Sequence, residues 1–182
     1  QHSEGVGGIC FSEFEARLFR LAYALAFFGA FRVSEVAAAS ASGLTGGMRA
    51  ADLSVTEDAI QILLRKSKMD QEGKGAWVRL AAAPGTNYCP VLLAKRYLEA
   101  RPQITHPNRL VHANGSPLTR IQFTRIFKRA VVKLVEDPAW FMSHSFRIDA
   151  ATTSASMGLP EATIQDWVGG SQFASSSTCV PT

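Results

Sequence analysis

A histidine and an arginine stand three residues apart at His144 and Arg147, and both side chains are suited to binding a phosphate group. On a helix over about residues 145–157 they share a face, because residues three apart are neighbours on a helix surface. Arginine offers a planar fork that binds two phosphate oxygens at once, and the imidazole adds another donor. The alternative is an ordinary helix start with two surface side chains, and the spacing alone is a weak signal.

A second arginine, Arg32, lies between apolar residues in the stretch Phe-Arg-Val-Ser-Glu-Val. We expect a tight corner between two helices here, with Ser34 as the N-cap of a short helix over 35–39, because serine is a favoured N-cap residue. An arginine at such a corner either forms an ion pair with a carboxylate such as Glu35 or is reserved for an anion. The motif favours neither alternative.

Three lysines, Lys66, Lys68 and Lys74, fall in a turn between two stretches that alternate as β-strands do. Apolar residues alternate over 53–55, 60–64 and 77–80, which predicts a small antiparallel sheet of three strands. A lysine-rich turn is usually a solvated loop. A flexible lysine on such a turn can also reach a neighbouring site, where it carries a proton or opposes a phosphate charge.

A basic surface is predicted on a helix over about 120–135, which Thr119 caps at its N-terminus. The apolar side of this helix is expected to hold Phe123, Ile126, Phe127, Ala130, Val131 and Leu134. The opposite side carries five cations, with no acid before Glu136: Arg120, Arg125, Lys128, Arg129 and Lys133. Such a surface is either a solvated helix face or a contact with a nucleic-acid backbone.

Two further helices complete the predicted core. Ser12 and Glu15 have the spacing of a capping box that opens a helix over about 12–28, which is apolar nearly all round and therefore central. A proline opens a helix over about 90–101, with a buried side expected to hold Leu92, Leu93, Tyr97 and Leu98. The Ala-, Ser- and Gly-rich residues 40–51 are expected to be a flexible connection.

Composition indicates one globular domain with a substantial core, since 47% of the 182 residues are hydrophobic and 19% are charged. The formal net charge of +4 and the pI of about 9.2 are compatible with a nucleic-acid partner. Three scattered cysteines without metal-ligand spacing favour a reducing, intracellular compartment and no metal site. No apolar run reaches the ~20 residues that span a bilayer, so we expect no membrane partner.

The predicted fold class is α+β, mainly helical, with the three-stranded sheet on one side. We expect a flexible lead-in over 1–10, one domain over 11–168 and a Gly- and Ser-rich tail over 169–182.

Four features in fixed order resemble the catalytic domain of the tyrosine recombinases, the phage-integrase family. They are Phe-Arg-Val-Ser-Glu, the lysine turn Lys-Ser-Lys-Met-Asp-Gln, His-Ser-Phe-Arg and Gly169-Gly170. The sequences of the lysine turn and of His-Ser-Phe-Arg are most similar to those of eukaryotic mobile elements of the Crypton-like and DIRS-like types. The resemblance implies DNA recombination and integration on double-stranded DNA, without a metal or cofactor. It also implies residence in the nucleus and a homo-oligomer on DNA. Members of the family usually carry a separate helical domain upstream that clamps the DNA.

The resemblance also implies the roles of individual residues. Arg32, His144 and Arg147 would bind the scissile phosphate, and Glu35 would support them. Two guanidinium groups and an imidazole can stabilise charge on the non-bridging oxygens of a transferring phosphate without a metal ion. Lys68 would protonate the leaving 5′-oxygen, with Lys66 and Lys74 as alternatives.

The nucleophile departs from the family pattern, in which a tyrosine near the C-terminus attacks phosphorus and holds the DNA 3′-end covalently. The tyrosines here are Tyr23, Tyr88 and Tyr97, and none follows His144. Ser171 stands where the family has Trp or His, Asp149 where it usually has Gly, and Cys179 or Val180 at the expected nucleophile position. A Cys179 thiolate can in principle attack phosphorus, but an altered tail that impairs cleavage is the interpretation we favour.

Three hypotheses follow from the sequence. The chain is a DNA strand-breaking and rejoining domain that its tail leaves impaired, or a non-catalytic DNA-binding module derived from a mobile-element recombinase, or a protein-interaction domain that retains only the fold.

Overall fold

The computed structural model describes residues 12–65 and 75–134, with side chains through residue 130. Its elements, in chain order, are α1 (Glu13–Phe28), α2 (Val33–Val36), β1 (Leu53–Val55), β2 (Ala59–Leu64), β3 (Ala76–Ala81), α3 (Pro90–Ala100) and α4 (Arg120–Leu134). The α+β class is confirmed, and in this part of the chain helices contain more residues than strands. In the same residues, no helix combines the length and apolar character needed to cross a bilayer.

The three strands form one antiparallel sheet in the order β1-β2-β3, as the alternating pattern predicted. Ile60 and Ile62 of β2 point into the core with 0% and 1% of their surface exposed. Their cross-strand partners are Val55 and Leu53 in β1, and Leu80 and Val78 in β3. Burial of one face explains the period of two, because alternate side chains of a strand point to opposite faces.

Helix α1 is the central helix of the core, with Leu18, Leu21 and Leu25 almost fully buried. Its start confirms half of the predicted capping box. The Oγ of Ser12 accepts the backbone N–H of Glu15 at 3.2 Å. The prediction is wrong for the second half, because the Glu15 carboxylate leaves the helix end and binds elsewhere in the fold.

Helix α3 begins at Pro90 as predicted, but its buried face is turned from the predicted one. Val91 and Ala94 are buried together with Leu93 and Tyr97, whereas Leu92 and Leu98 are only half-buried. The reason is that the face is centred on Ala94, which is 0% exposed and whose small side chain gives a weaker sequence signal than a large apolar one.

Residues 40–51, predicted to be a flexible connection, form a loop that backbone hydrogen bonds join to the fold and that ends in a 3₁₀ turn, Ala50–Asp52. The N–H of Ala39 donates to the Thr45 carbonyl at 2.8 Å, and the N–H of Gly47 donates to the Ser34 carbonyl at 3.1 Å. Gly47 has a φ of +80°, and a Cβ there would lie 2.9 Å from the backbone nitrogen of Ala38. Glycine therefore permits a close backbone approach that fastens the loop to the end of α2.

Candidate nucleic-acid interface

The corner that carries Arg32 is built by the end of α1 and the buried ring of Phe31. The N–H of Gly29 donates to the Leu25 carbonyl at 2.9 Å, and the next residue, Ala30, turns the chain with a φ of 49°. Phe31 is 2% exposed, and its ring occupies the space that a Cβ on Gly29 would need, with Cδ2 at 2.7 Å. The chain must therefore turn at this point, which leaves Arg32 at the start of α2.

Arg32 itself is the N-cap of α2, so the predictions of Ser34 as N-cap and of a helix over 35–39 are wrong. The reason is Glu35, whose Oε2 accepts the backbone N–H of Arg32 at 2.6 Å. A glutamate three residues into a helix can satisfy the N–H of the N-cap residue in this way.

The Arg32 side chain forms the predicted ion pair with Glu35, and its role as an anion-binding group stays a prediction. Its Nη1 lies 3.4 Å from Oε1 of Glu35, and the two side chains are 38% and 17% exposed. Glu35 is the only carboxylate that contacts this guanidinium group within the described residues. Arginine has five N–H donors, so one long contact orients the guanidinium group and leaves donors for an anion.

Helix α4 begins at the predicted cap, where Thr119 and Gln122 satisfy each other. The Thr119 backbone N–H donates to Oε1 of Gln122 at 2.9 Å, and the Gln122 N–H donates to Oγ1 of Thr119 at 3.4 Å. The apolar side of α4 faces the core through Phe123, which is fully buried and meets the ring of Tyr23 edge-on at 4.8 Å. This contact fixes which side of α4 faces outward.

The outward side of α4 carries the basic surface, which we define by four exposed side chains: Arg120, Arg125, Lys128 and Arg129. None of the four forms an ion pair with a carboxylate among the residues that the structure describes. The helix sequence contains no acid, and Ile121 is 68% exposed on the same side. Lys133 belongs to the helix backbone, but its side chain lies outside the described residues.

Two backbone hydrogen bonds join the segment that follows α2 to the start of α4. The N–H of Ala38 donates to the Leu118 carbonyl at 2.9 Å, and the N–H of Arg120 donates to the Ala38 carbonyl at 2.9 Å. The Arg32 corner and the basic surface therefore belong to one connected frame.

A histidine that the sequence did not single out, His112, connects α1 with α4. Its Nδ1 lies 2.6 Å from Oε2 of Glu15, and its Nε2 lies 3.1 Å from Oε1 of Gln122. Burial by itself would lower the pKa of His112, but its hydrogen bond and charge interaction with Glu15 raise the pKa above its usual value. For Glu15, burial opposes but does not cancel the effect of the imidazole, and the pKa is lowered.

A second missed pair stands where β2 enters the lysine turn. Asp52, 5% exposed, accepts hydrogen bonds from Arg65, with Nε 2.8 and 2.7 Å from its two carboxylate oxygens. On the other side of the turn, Gly75 has a φ of +72°, and a Cβ there would lie 2.9 Å from the Leu64 carbonyl oxygen. Arg65 and Gly75 thus define the two ends of the segment that contains the predicted acid.

The remaining predicted site residues lie outside the described residues. They are Lys66, Lys68, Lys74, His144, Arg147 and Cys179. The meeting of Arg32 with the histidine–arginine pair and the lysine turn therefore stays a prediction. In the described part of the chain, no group of three or more histidine, cysteine or acidic side chains is arranged to hold a metal ion.

Comparisons with solved structures show which proteins share this fold. The XerH site-specific recombinase bound to its difH substrate matches with a TM-score of 0.65 and 18% identity, over 93% of this chain and 44% of that one. The Tn1549 transposon integrase in complex with circular intermediate DNA matches with a TM-score of 0.55 and 19% identity, over 98% and 60%. An FLP recombinase–Holliday junction complex matches with a TM-score of 0.59 and 13% identity, over 99% and 46%.

The chain therefore has the fold of structures from tyrosine recombinases and integrases, and it spans less than two thirds of the length of each of these three proteins. No protein-family model and no curated protein matches it.

Proposed function

We propose that this chain is a DNA-binding domain of the site-specific recombinase and integrase type, the type that breaks and rejoins double-stranded DNA through a covalent protein–DNA intermediate. We also propose that cleavage is impaired here, because the sequence has no tyrosine at the expected nucleophile position. The observation that carries the proposal is the basic surface of α4, exposed and without carboxylate partners among the described residues. It stands on a fold shared with recombinases and an integrase solved in complex with DNA. Phosphate charges are the natural partners of such a surface.

The phosphate-binding step uses the Arg32 corner. Glu35 supports the corner by accepting the Arg32 backbone N–H and by contacting the guanidinium group. The guanidinium donors that remain would bind a non-bridging oxygen of the scissile phosphate, and His144 and Arg147 would bind the same group. A positioned set of cations of this kind stabilises the charge of a transferring phosphoryl group.

In the covalent step, a nucleophilic side chain forms a bond to phosphorus while the bond between phosphorus and the 5′-oxygen breaks. Lys68, or Lys66 or Lys74 in its place, gives a proton to that leaving oxygen. The DNA 3′-phosphate stays bound to the protein, and reversal of the step reseals the strand.

The tyrosines of this sequence give a physical reason for impaired cleavage. Tyr97 is fully buried, and its hydroxyl group donates to the Val111 carbonyl at 3.0 Å. The Tyr23 hydroxyl donates to the Phe123 carbonyl at 3.1 Å. Both are structural groups of the core, which leaves exposed Tyr88 and the tail residue Cys179 as the side chains to test as nucleophiles.

Salt-dependent binding to duplex DNA tests the binding half of the proposal. Log affinity falls linearly with log salt concentration, and each phosphate contact adds about 0.9 to the steepness of that fall. The double variant Lys128→Gln, Arg129→Gln removes two charges, so the fall should become less steep by roughly 1 to 2. Removal of two charges with Arg79→Gln and Lys95→Gln is the matched control, because these cations already pair with Asp58 and Glu57. Equal slopes for both double variants would contradict DNA binding by α4.

Covalent trapping on a nicked DNA substrate tests the chemical half. An adduct that persists in Cys179→Ala excludes the thiol, and an adduct lost in Tyr88→Phe identifies that hydroxyl group. Binding without any adduct would instead identify a non-catalytic DNA-binding module.

The proposal extends to assembly and location. We propose a homo-oligomer on DNA, a mobile-element origin of the Crypton-like or DIRS-like type, and residence in the nucleus. Sedimentation with and without a duplex measures the first, and imaging of a tagged chain measures the last.

A further inference from the structure

The hydrogen bonds around His112 determine where its protons lie. The Thr119 backbone N–H can only donate, and it lies 2.9 Å from the Gln122 side chain, so the atom facing it is the carbonyl oxygen Oε1. That same oxygen faces Nε2 of His112 at 3.1 Å. Since Oε1 accepts and cannot donate, Nε2 must carry a hydrogen.

The other ring nitrogen faces a carboxylate. Nδ1 lies 2.6 Å from Oε2 of Glu15, whose Oε1 also accepts the Ala113 backbone N–H at 3.4 Å. An ionised carboxylate oxygen accepts and cannot donate, so Nδ1 must carry a hydrogen at this distance, and the lowered pKa of Glu15 and the raised pKa of His112 agree with that arrangement. Both nitrogens then donate, and His112 is an imidazolium cation that bridges α1 and α4.

Loss of one proton breaks this bridge whichever nitrogen loses it. If Nε2 is bare, two lone pairs oppose each other between His112 and Gln122. If Nδ1 is bare, its lone pair faces the Glu15 carboxylate. The contact between Nδ1 and Glu15 is partly buried, with the imidazole side chain 12% exposed and that of Glu15 22% exposed, whereas the contact between Nε2 and Gln122 lies at the surface. An unprotonated Nδ1 is therefore the costlier case, because water reaches it poorly.

We propose that doubly protonated His112 is a positioning residue that holds the first turn of α4 on α1, so that duplex binding by the basic surface depends on this protonation. The inference rests on the proposed function for its DNA half. Gln122 forms the N-terminal cap of α4 with Thr119, and Arg120 is the first cation of the basic surface. A loosened cap therefore moves the groups that meet phosphate.

Among the residues that the structure describes, one side chain of opposite charge contacts His112. Helix α1 contributes Glu15 and the ring of Phe19, which meets the imidazole edge-on at 6.2 Å. Helix α4 contributes the neutral Gln122. Within the described residues, Glu15 is the only titratable side chain in hydrogen-bond contact with His112, so it sets the midpoint of the titration.

The first experiment measures the intact chain without DNA. The ring protons of His112 are followed by NMR from about pH 5 to about pH 9, a range that brackets the ordinary histidine pKa. Hydrogen exchange of the Gln122 amide and its neighbours in the first turn of α4 is measured over the same range. We expect a midpoint above the ordinary value, and faster exchange as pH rises through it. Amide exchange rates that do not change as His112 titrates would refute the positioning role, and this result does not depend on whether the chain binds DNA.

The second experiment measures duplex affinity over the same pH range at constant ionic strength. We expect wild-type affinity to fall about fivefold or more across the His112 midpoint, the size of a typical coupling between two sites. Glu15→Gln should move the midpoint to lower pH, and His112→Gln should bind weakly at every pH. The control is His106→Gln, since the contact of that ring is with the Asn108 N–H.

The outcomes separate the two claims. A chain that shows the exchange effect but binds no duplex at any pH would refute the proposed function and keep the positioning role. Two results would refute the link between His112 and DNA binding: a wild-type duplex affinity that does not change with pH, or a pH midpoint of affinity that Glu15→Gln does not shift.

Discussion

The buried hydroxyl group of Tyr97 offers a sharp test of the fold. This hydroxyl group accepts the Val111 backbone N–H at 2.8 Å and donates to the Val111 carbonyl at 3.0 Å or the Arg109 carbonyl at 3.2 Å. It therefore joins α3 to the segment that leads into His112. Tyr97→Phe removes only the oxygen and keeps the ring, so the apolar burial of the side chain is nearly unchanged.

The cost of this substitution follows from what remains unpaired. Val111 is 0% exposed, and its N–H loses its acceptor in a place that water does not reach. A buried polar group without a partner costs about 1–3 kcal/mol, so we expect the free energy of unfolding to fall by about 2 kcal/mol. For a chain of this length that corresponds to a melting temperature lower by about 4–8 °C.

Urea unfolding monitored by fluorescence measures this cost, and Tyr23→Phe provides the comparison. The Tyr23 hydroxyl group donates to the Phe123 carbonyl. Its removal therefore leaves a carbonyl oxygen with one hydrogen bond fewer, whereas Tyr97→Phe leaves a buried N–H group without an acceptor. We expect the smaller loss for Tyr23→Phe, and faster amide exchange at Val111 only in Tyr97→Phe. A loss in Tyr97→Phe no larger than in Tyr23→Phe, with Val111 exchange unchanged, would refute the reasoning.

Tyr97 also predicts how stability depends on alkaline pH. Burial raises its pKa above the ordinary value, because the charged phenolate is poorly solvated there. A raised folded pKa contributes stability below the unfolded pKa of about 10, and this contribution is lost as pH rises from there through the folded pKa. We expect the alkaline unfolding of wild type to be steeper than that of Tyr97→Phe.

Five further substitutions test three other parts of the fold by thermal unfolding. Ile62→Ala removes a side chain that is 1% exposed from the centre of the sheet and should cost about 2–5 kcal/mol, whereas Ser54→Ala on the outer face of β1 should cost little. Gly47→Ala should destabilise the chain by about 1 kcal/mol or more, because its φ of +80° and the Ala38 nitrogen 2.9 Å from the new Cβ both oppose a side chain. Arg65→Met should lower the melting temperature more than Asp52→Asn does, because the first leaves a buried carboxylate unpaired and the second leaves an exposed guanidinium group in water.

Local signals explain which elements the sequence could predict. The strands follow from alternation, because one face of the sheet is buried and the other is not. Helices α3 and α4 follow from Pro90 and Thr119, which act within one turn of their own positions. Each of these signals needs only neighbouring residues, so no knowledge of the tertiary fold is required.

The Arg32 corner shows where local signals compete. Ser34 and Glu35 are both residues that cap helix starts, and the sequence favoured the serine. The structure uses the glutamate because Phe31 is buried beside Gly29, which fixes where the chain leaves α1 and makes Arg32 the first residue of the next helix start. Burial of one aromatic ring thus decided between two caps of similar strength.

The missed contacts depend on residues that are distant in sequence. Glu15 and His112 are 97 positions apart, and Asp52 and Arg65 are 13 apart across a strand and a turn. Glu15 carried a strong local interpretation as half of a capping box, which concealed its role as the partner of an imidazole. A single sequence contains no signal for such pairs, since each residue alone resembles an ordinary surface charge.

These distant contacts connect the two positively charged parts of the candidate interface. His112 contacts Gln122, Gln122 caps α4 with Thr119, and the residues on either side of Thr119 hydrogen-bond to both backbone groups of Ala38. Ala38 follows α2, the helix that begins at Arg32. A displaced first turn of α4 must therefore strain the Ala38 hydrogen bonds as well. Loss of the His112 bridge should consequently speed amide exchange at Ala38, even though no atom of His112 contacts that residue.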